Sequence, residues 1–331
     1  MKYKTVKAMP DLAFSSVGFG CWGISGGDTW NGTNDAASIR TVRAAVELGI
    51  TVFDVAPVYG HGHAEEVLGE ALVGRREDVL IASKCGLLWD EHGVIRNDLS
   101  PESITWEVEQ SLRRLRTDYL DLYQMHWPDP ATPVEASMEA LESLRSAGKI
   151  RHIGVTNFSV ERTDRCNAVA AVASHQGLYN LLEHDPVAYH GIPLEYRTAT
   201  EILPMVSREG MAFFPYSPLF QGLLTDGFKS TGNFDDHDVR AANPKLNGDL
   251  FAVYFEIAQA LRAFAREIGR PLSHVAINWL ATQDAVTSVI AGGQTVQHVT
   301  QNADAVAWDL TAEMLGQIEA ILAPYHARGL L

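Results

Sequence analysis

The sequence predicts a closed parallel (β/α)8 TIM barrel, a single domain over 1–331 with a long loop after the seventh strand and an extra C-terminal helix. Two observations carry this expectation. Short β-branched runs ending in polar residues alternate with amphipathic patterns of about 10–15 residues, the helix signature. Eight such runs occur, and strict strand–helix alternation through eight strands closes a barrel, with an open doubly wound sheet as the architectural alternative. The 331 residues admit either two ordinary domains or one large barrel. No linker or shift of composition precedes Gly222, which favours the barrel.

In chain order the expected strands are Ser15–Gly20, Thr51–Ala56, Val79–Cys85, Tyr119–His126, Ile150–Asn157, Ser174–Tyr179, Met211–Ser217 and Val286–Gly292. The helix patterns between and after them cover Asp35–Leu48, Ala64–Val73, Pro101–Leu115, Val134–Ala147, Val160–Ala171, Glu195–Arg208, Leu250–Ile268 and Val296–Val306. Ser100-Pro101-Glu102 supplies an N-cap, a proline and an acid for a first turn, and Gly49, Gly74, Gly148 and Gly269 stand where helices should end. Thr311–Leu322 reads as the extra terminal helix. The Gly/Asn/Asp-rich stretch Gln221–Asp249 is the kind of long loop that covers a site.

Hydrophobic residues make up 46% of the chain and charged ones 20%, enough for a core. The formal net charge of −15, with no Lys/Arg cluster, opposes phosphate backbones and anionic lipid, so neither nucleic acid nor membrane is an expected partner. The start, MKYKTVKAMPDLAF, has no apolar run of the secretory type, and the expected location is cytoplasmic. Cys21, Cys85 and Cys166 lie far apart and are odd in number, which reads as small buried residues, not a disulfide framework or metal site.

A barrel of this kind places its chemistry where strands end. Asp54 ends strand 2, Tyr59 follows five residues later, Lys84 ends strand 3 and His126 ends strand 4. An acid, a phenol, an amine and an imidazole at one barrel mouth can act as a proton-transfer unit. Asp54 would hold Lys84 charged, Lys84 would lower the phenol of Tyr59, and His126 would donate to a carbonyl oxygen. Nothing in the set supplies electrons or a nucleophile, so a cofactor is required.

At these residues the sequence resembles the aldo-keto reductases. GITVFDVAPVYGHGHAEEVLGEAL, IASKCG, LDLYQMHWPD, KIRHIGVTNF, SHQGLYN, PYSPLFQGLLT and IAGGQTVQHVTQN match that family's motifs in order, over roughly Gly18 to Asn302. KCGLLW and NDLSPESI further resemble a bacterial subgroup that includes an NADH-specific methylglyoxal reductase. The resemblance implies the barrel, a tetrad of Asp54, Tyr59, Lys84 and His126 with Tyr59 as general acid/base, and an NAD(P)(H)-dependent interconversion of a carbonyl (aldehyde, ketone or aldose) and an alcohol. It also implies a nicotinamide site. Thr156, Asn157 and Gln176 suit the carboxamide, Tyr216 offers a ring face, and Ser217, Leu219, Gln221 and Gly222 offer backbone amides to the pyrophosphate. Gly292, Gln294 and His298 lie in the segment after strand 8, and Gln301 and Asn302 look like the family's adenine contacts.

Two departures bear on this. The family usually has Ser where Ala64 stands, so the helix there loses a cap that His63 or the preceding backbone has to replace. His61 and His63 form an HxH pair, but no further ligands at metal spacing accompany it, so no metal is expected. Trp22, Trp30, Trp89 and Trp127 fall in or near strand-end loops, where they either line a substrate pocket or simply pack.

Val286 to Asn302 contains no Lys or Arg to hold a 2′-phosphate, which predicts a preference for NAD(H). NADP(H) stays admissible if Lys229, Arg240 or Lys245 reaches that phosphate from the long loop. A cofactor-sensing regulatory subunit of the channel β-subunit type and a Schiff-base aldolase using Lys84 are the alternative functions. Substrate, reaction direction and oligomeric state are not legible.

Overall fold

The computed structural model describes residues 1–26, 34–228, 234 and 239–331. Eight parallel strands form the barrel: β1 (Val17–Gly20), β2 (Val52–Asp54), β3 (Leu80–Cys85), β4 (Leu120–Met125), β5 (Ile150–Thr156), β6 (Val172–Leu178), β7 (Ala212–Tyr216) and β8 (Val289–Gly292). Neighbours pair in chain order from β1 to β7, and β8 pairs with β1. Thr287 bridges the remaining gap between β7 and the approach to β8: its amide donates to the Phe213 carbonyl (2.9 Å) and its Oγ1 accepts from the Phe213 amide (3.1 Å).

Around the sheet lie α1 (Asp35–Glu47), α2 (His63–Ala71), α3 (Pro101–Leu115), α4 (Val134–Ser146), α5 (Val160–Asn167), α6 (Leu203–Glu209), α7 (Gly248–Glu267), α8 (Leu272–Thr282), α9 (Val296–Asp304) and α10 (Ala312–His326). Side-chain caps start several of them where the sequence supplies Asn, Ser or Thr. Asn34, Ser100, Ser159, Thr295 and Thr311 each accept from a backbone amide in the first turn.

The structure departs from the expected elements in several places, including two short hairpins, Leu87–Trp89 with Ile95–Asn97 and Ala188–Tyr189 with Ile192–Pro193. An antiparallel hairpin, Tyr3–Val6 and Met9–Ser15, precedes the barrel, and its Met9 and Phe14 pack with the inward-facing Val52, Ala82, Leu122, Phe214 and Ile290. Two buried apolar residues were too sparse a pattern to read as a strand. The helix α8 was not expected because eight of its residues, Leu272 and His274 to Leu280, are buried; a helix covered nearly all round has no polar face to mark its period. The pattern expected over Glu195–Arg208 becomes a π turn, Thr198–Ile202, leading into α6, whose Pro204 occupies a first-turn position. The fifth helix stops at Asn167, whose side chain accepts from the Val172 amide at the entry of β6.

Alternation along the strands positions the site. Residues of one parity face the helices and those of the other face the barrel axis. On β2, Val52 belongs to the inner cluster and Asp54 lies one layer above it; on β3 the same holds for Ala82 and Lys84, and on β7 for Phe214 and Tyr216. Leu122 on β4 continues through Gln124 to His126. The apolar plug and the polar mouth are therefore successive layers of the same strands. Gly154 on β5 keeps the intervening layer narrow: a Cβ there would lie 2.2 Å from Ser174 Oγ.

Candidate active site

Lys84 is fully buried at the end of β3, and the energetic cost of an isolated ammonium there makes its partners decisive. Its Nζ donates to Asp54 Oδ1 (2.7 Å) and to the Val55 carbonyl (3.1 Å), and lies 3.5 Å from the Tyr59 hydroxyl. Asp54 Oδ1 also accepts from Gln176 Nε2 (2.9 Å). All three ammonium hydrogens thus have an oxygen to meet, which describes a charged, tied amine and opposes its use as a Schiff-base nucleophile. The strand itself is anchored beside the lysine: Ser83 Oγ donates to Glu65 on α2 (2.7 Å), whose other oxygen accepts from Arg114 (2.7 Å).

Tyr59 sits in the loop after β2, its amide donating to the Ala56 carbonyl (3.1 Å). The next residue, Gly60, has φ +62, and a Cβ there would lie 2.5 Å from the Ser25 carbonyl oxygen, so glycine lets this loop press against the turn after β1. The ring of His126 meets that of Tyr59 edge-on, centroids 6.1 Å apart. The four residues expected at the mouth are therefore brought together.

Their electrostatics correct one expectation. Lys84 was expected to lower the Tyr59 phenol; instead burial, reinforced by the Asp54 carboxylate, pushes it well above its ordinary value. The ammonium is already neutralised by Asp54, so desolvation decides, and Tyr59 holds its proton firmly. Burial first, and Lys84 second, keep His126 well below the ordinary imidazole range. His126 is therefore a neutral ring at pH 7, able to donate one N–H.

The residues expected around a nicotinamide cofactor are distributed unevenly. Thr156 ends β5 with its Oγ1 buried and without a hydrogen-bond partner among the described residues. Asn157 takes left-handed backbone (φ 64) and is a hub: its Oδ1 accepts from Tyr216 (2.8 Å) and Tyr196 (3.0 Å), and its Nδ2 donates to the His126 carbonyl (3.3 Å). Asn157 and Gln176, expected to suit the nicotinamide carboxamide, also brace Tyr216, His126 and Asp54. Ser217, Phe220, Gln221 and Gly222 all have positive φ, and Leu219 lies among them. Such successions make the concave amide surfaces that hold anions. The Gln221 side chain contacts His190 and accepts from Asn243 (2.8 Å).

After β8, the Gln294 amide points to His298 Nδ1 (3.4 Å), and Gln301 and His298 are exposed. Asn302, expected as an adenine contact, is buried and donates to the Gly292 carbonyl (3.1 Å), bracing the turn from within. Trp22 lies 6.4 Å from the Tyr59 ring, Trp89 stacks on His61 at 5.1 Å, and Trp127 packs partly buried against the core. Trp30 and Lys229 lie outside the described residues. The HxH pair is split, since His63 pairs with Asp35 (2.9 Å) and caps no helix: α2 starts at Gly62 without a side-chain cap. Among the described residues no group of three His, Cys, Asp or Glu is placed to hold a metal ion. Tyr196 escaped sequence reasoning. Its hydroxyl joins the Leu178 amide to Asn157, a contact between residues remote in sequence.

A (β/α)8 barrel with a buried ammonium–carboxylate pair beneath a phenol and a neutral imidazole belongs to the oxidoreductase barrels, a class the comparisons make specific. The sequence profile of the Aldo/keto reductase family matches residues 16–323, and the chain belongs to that family. It is 35% identical over 325 residues to the aldo-keto reductase YhdN of Bacillus subtilis (strain 168), covering 97% of this chain and 94% of that one. It is 30% identical over 310 residues to the NADH-specific methylglyoxal reductase of Escherichia coli (strain K12), covering 89% and 91%. The solved glycerol dehydrogenase AKR11B4 of Gluconobacter oxydans superposes with a TM-score of 0.86 at 34% identity, covering 97% and 95%. The protein is an NAD(P)-dependent oxidoreductase that interconverts carbonyl and alcohol groups.

Proposed function

We propose that this protein reduces small aldehydes, ketones or aldoses with NAD(H), and runs the reverse oxidation, with Tyr59 as general acid/base. The observation that carries this is the fully buried Lys84, 2.7 Å from Asp54 and 3.5 Å from the Tyr59 hydroxyl. A nicotinamide cofactor supplies hydride to the carbonyl carbon. As the alcohol forms, Tyr59 delivers its proton to the oxygen, and the Lys84 ammonium stabilises the phenolate left behind. The neutral His126 donates to the same oxygen and orients the carbonyl. Asp54 and Gln176 hold Lys84 in place and charged.

The residues present fit such a cofactor. Thr156 offers a buried hydroxyl without a partner among the described residues, Tyr216 a ring held by Asn157, the 217–222 turn left-handed backbone at Ser217 and at Phe220 to Gly222, and the 292–302 segment side chains other than Lys or Arg. Preference for NAD(H) rests on the last of these. Of the loop cations that might have reached a 2′-phosphate, Lys245 is bound to Glu183 (2.6 Å) and Arg240 covers the Phe234 ring (4.6 Å). Trp22, Trp89 and Trp127 are proposed to wall the substrate side. Tyr59→Phe tests the assignment: kcat should drop at least ~10²-fold, the range of general acid–base catalysis, while quenching of tryptophan fluorescence by the cofactor stays unchanged. Turnover near wild type would remove Tyr59 from the role.

A further inference from the structure

One peptide unit lies between Lys84 and His126 in the hydrogen-bond network. The Cys85 carbonyl accepts from the His126 amide (3.0 Å), and the N–H of the same peptide, that of Gly86, donates to both carboxylate oxygens of Glu107 (2.9 and 3.1 Å). Glu107 lies on α3, is 2% exposed, and also accepts from Ser103 Oγ (3.1 Å). Among the described residues no arginine or lysine forms an ion pair with it. A buried carboxylate without a cation is costly, so the peptide it holds is where that cost has a structural return.

We propose that Glu107 is a positioning residue, holding the Cys85–Gly86 peptide and through it the His126 backbone and the end of the strand that carries Lys84. This rests on the reading of Tyr59, Lys84 and His126 as the reacting groups. A carboxylate accepts from an N–H more strongly than a neutral acid, and polarising that N–H strengthens the carbonyl at the other end of the same peptide as an acceptor. Gly86 itself is shaped for the contact, with φ +92 and Leu99 packed 2.4 Å from where a Cβ would stand.

The arrangement makes the active site sensitive to proton uptake at a distance. Around Glu107 stand the Gly86 amide and Ser103 hydroxyl, the Asp98 and Glu65 carboxylates, the Cys85 thiol and the Tyr123 hydroxyl. Burial, partly opposed by the Gly86 amide and Ser103, pushes Glu107 up to about 7. The neutral Cys85 and Tyr123 stay protonated, both raised well above their ordinary values by burial. His126 and Tyr59 are moved away from neutrality in opposite directions, the first lowered and the second raised by burial.

The test is the pH profile of kcat for wild type, Glu107→Gln and Tyr59→Phe, with the Gly86 and His126 amide resonances followed across the same range in isotope-labelled wild-type protein. The wild-type rate should rise about three- to tenfold through a midpoint near 7, the difference between a charged and a neutral acceptor. Glu107→Gln should lose the inflection and stay on the lower plateau with KM little changed, and both amides should move with that midpoint. A Glu107→Gln enzyme with the wild-type profile overturns the proposal. If that variant fails to fold, the wild-type amides decide: movement of both near pH 7 supports it, and a fixed Gly86 or His126 amide overturns it. Wild-type turnover by Tyr59→Phe would overturn the tetrad reading instead, and the amide titration then decides separately whether Glu107 couples to His126.

Discussion

At the residue scale the site is governed by desolvation. Lys84 and Asp54 are each affordable in a barrel interior only because the other is 2.7 Å away, and removing one partner of a buried pair typically costs ~3–5 kcal/mol. Lys84→Met should therefore lower both the melting temperature and kcat. Combined with Tyr59→Phe it should slow turnover scarcely more than the single Tyr59 change, because the two groups act as one unit. Multiplicative losses in the double variant, measured by steady-state kinetics, would show that they act independently. The four polar residues were legible in the sequence, since three of them lie at or just past the ends of consecutive strands, Tyr59 follows in the loop after the first of these, and all lie in motifs of recognisable order. The direction of the Tyr59 shift was not. It depends on how much water the fold removes and on Lys84 being already paired, and no spacing of residues states either.

At the scale of elements, two histidines wedged between neighbouring strands, helices and loops contribute to the loss of stability in acid, alongside His126 and His190, which burial also lowers. His175 on β6 lies between the Tyr196 and Phe213 rings, and its Nε2 donates to the Phe158 carbonyl (2.9 Å). His184 stacks on Trp279 of α8 (5.1 Å) and meets His326 of α10 (4.7 Å). Burial lowers both to about 4. The unfolded chain, with histidines near 6.5, then binds more protons than the folded one, so stability is present above pH 6.5 and falls as pH drops toward 4, by up to ~3 kcal/mol for each histidine. Glu107 acts oppositely: raised to about 7, it contributes stability at low pH that is lost as pH climbs from the ordinary glutamate value through neutrality. Two histidines outweigh one glutamate, so the melting temperature should fall between pH 6.5 and 4. In His184→Gln that fall should be smaller; an unchanged slope by calorimetry would contradict the assignment. Glu107 left a trace in the sequence, interrupting the stripe Ile104, Val108 and Leu112 on the buried side of α3. What it faces was not readable, because the contact with Gly86 depends on how α3 packs back against the end of β3.

At the scale of the whole molecule, the proposed preference for NAD(H) rests on which charges the fold leaves available near the end of β8. The 286–302 segment has no Lys or Arg, and Lys245, in the loop that follows β7, is held by Glu183. Gln294→Arg should therefore shift the ratio of kcat/KM toward NADPH by roughly 30-fold, about 2 kcal/mol for a charge-assisted phosphate contact. Wild-type enzyme using NADPH at least as efficiently as NADH would overturn the preference.

The sequence by itself determined the barrel, its strand ends and the four polar residues that gather there, because period-two strands, 3.6-period helices and motif order are local properties written in consecutive residues. It missed α8 and the N-terminal hairpin, where burial on nearly all sides or too few apolar residues leaves no contrast to read. Only the tertiary structure decided that Asn157 and Gln176 brace the site, that Asn302 supports its turn from within, and that Glu107 holds the peptide between Lys84 and His126. Those hydrogen bonds join residues on different elements, from Asn302 and Gly292 within one strand–helix unit to Gln176 and Asp54 across the barrel, and they form where packing removes the water these groups would otherwise have bound.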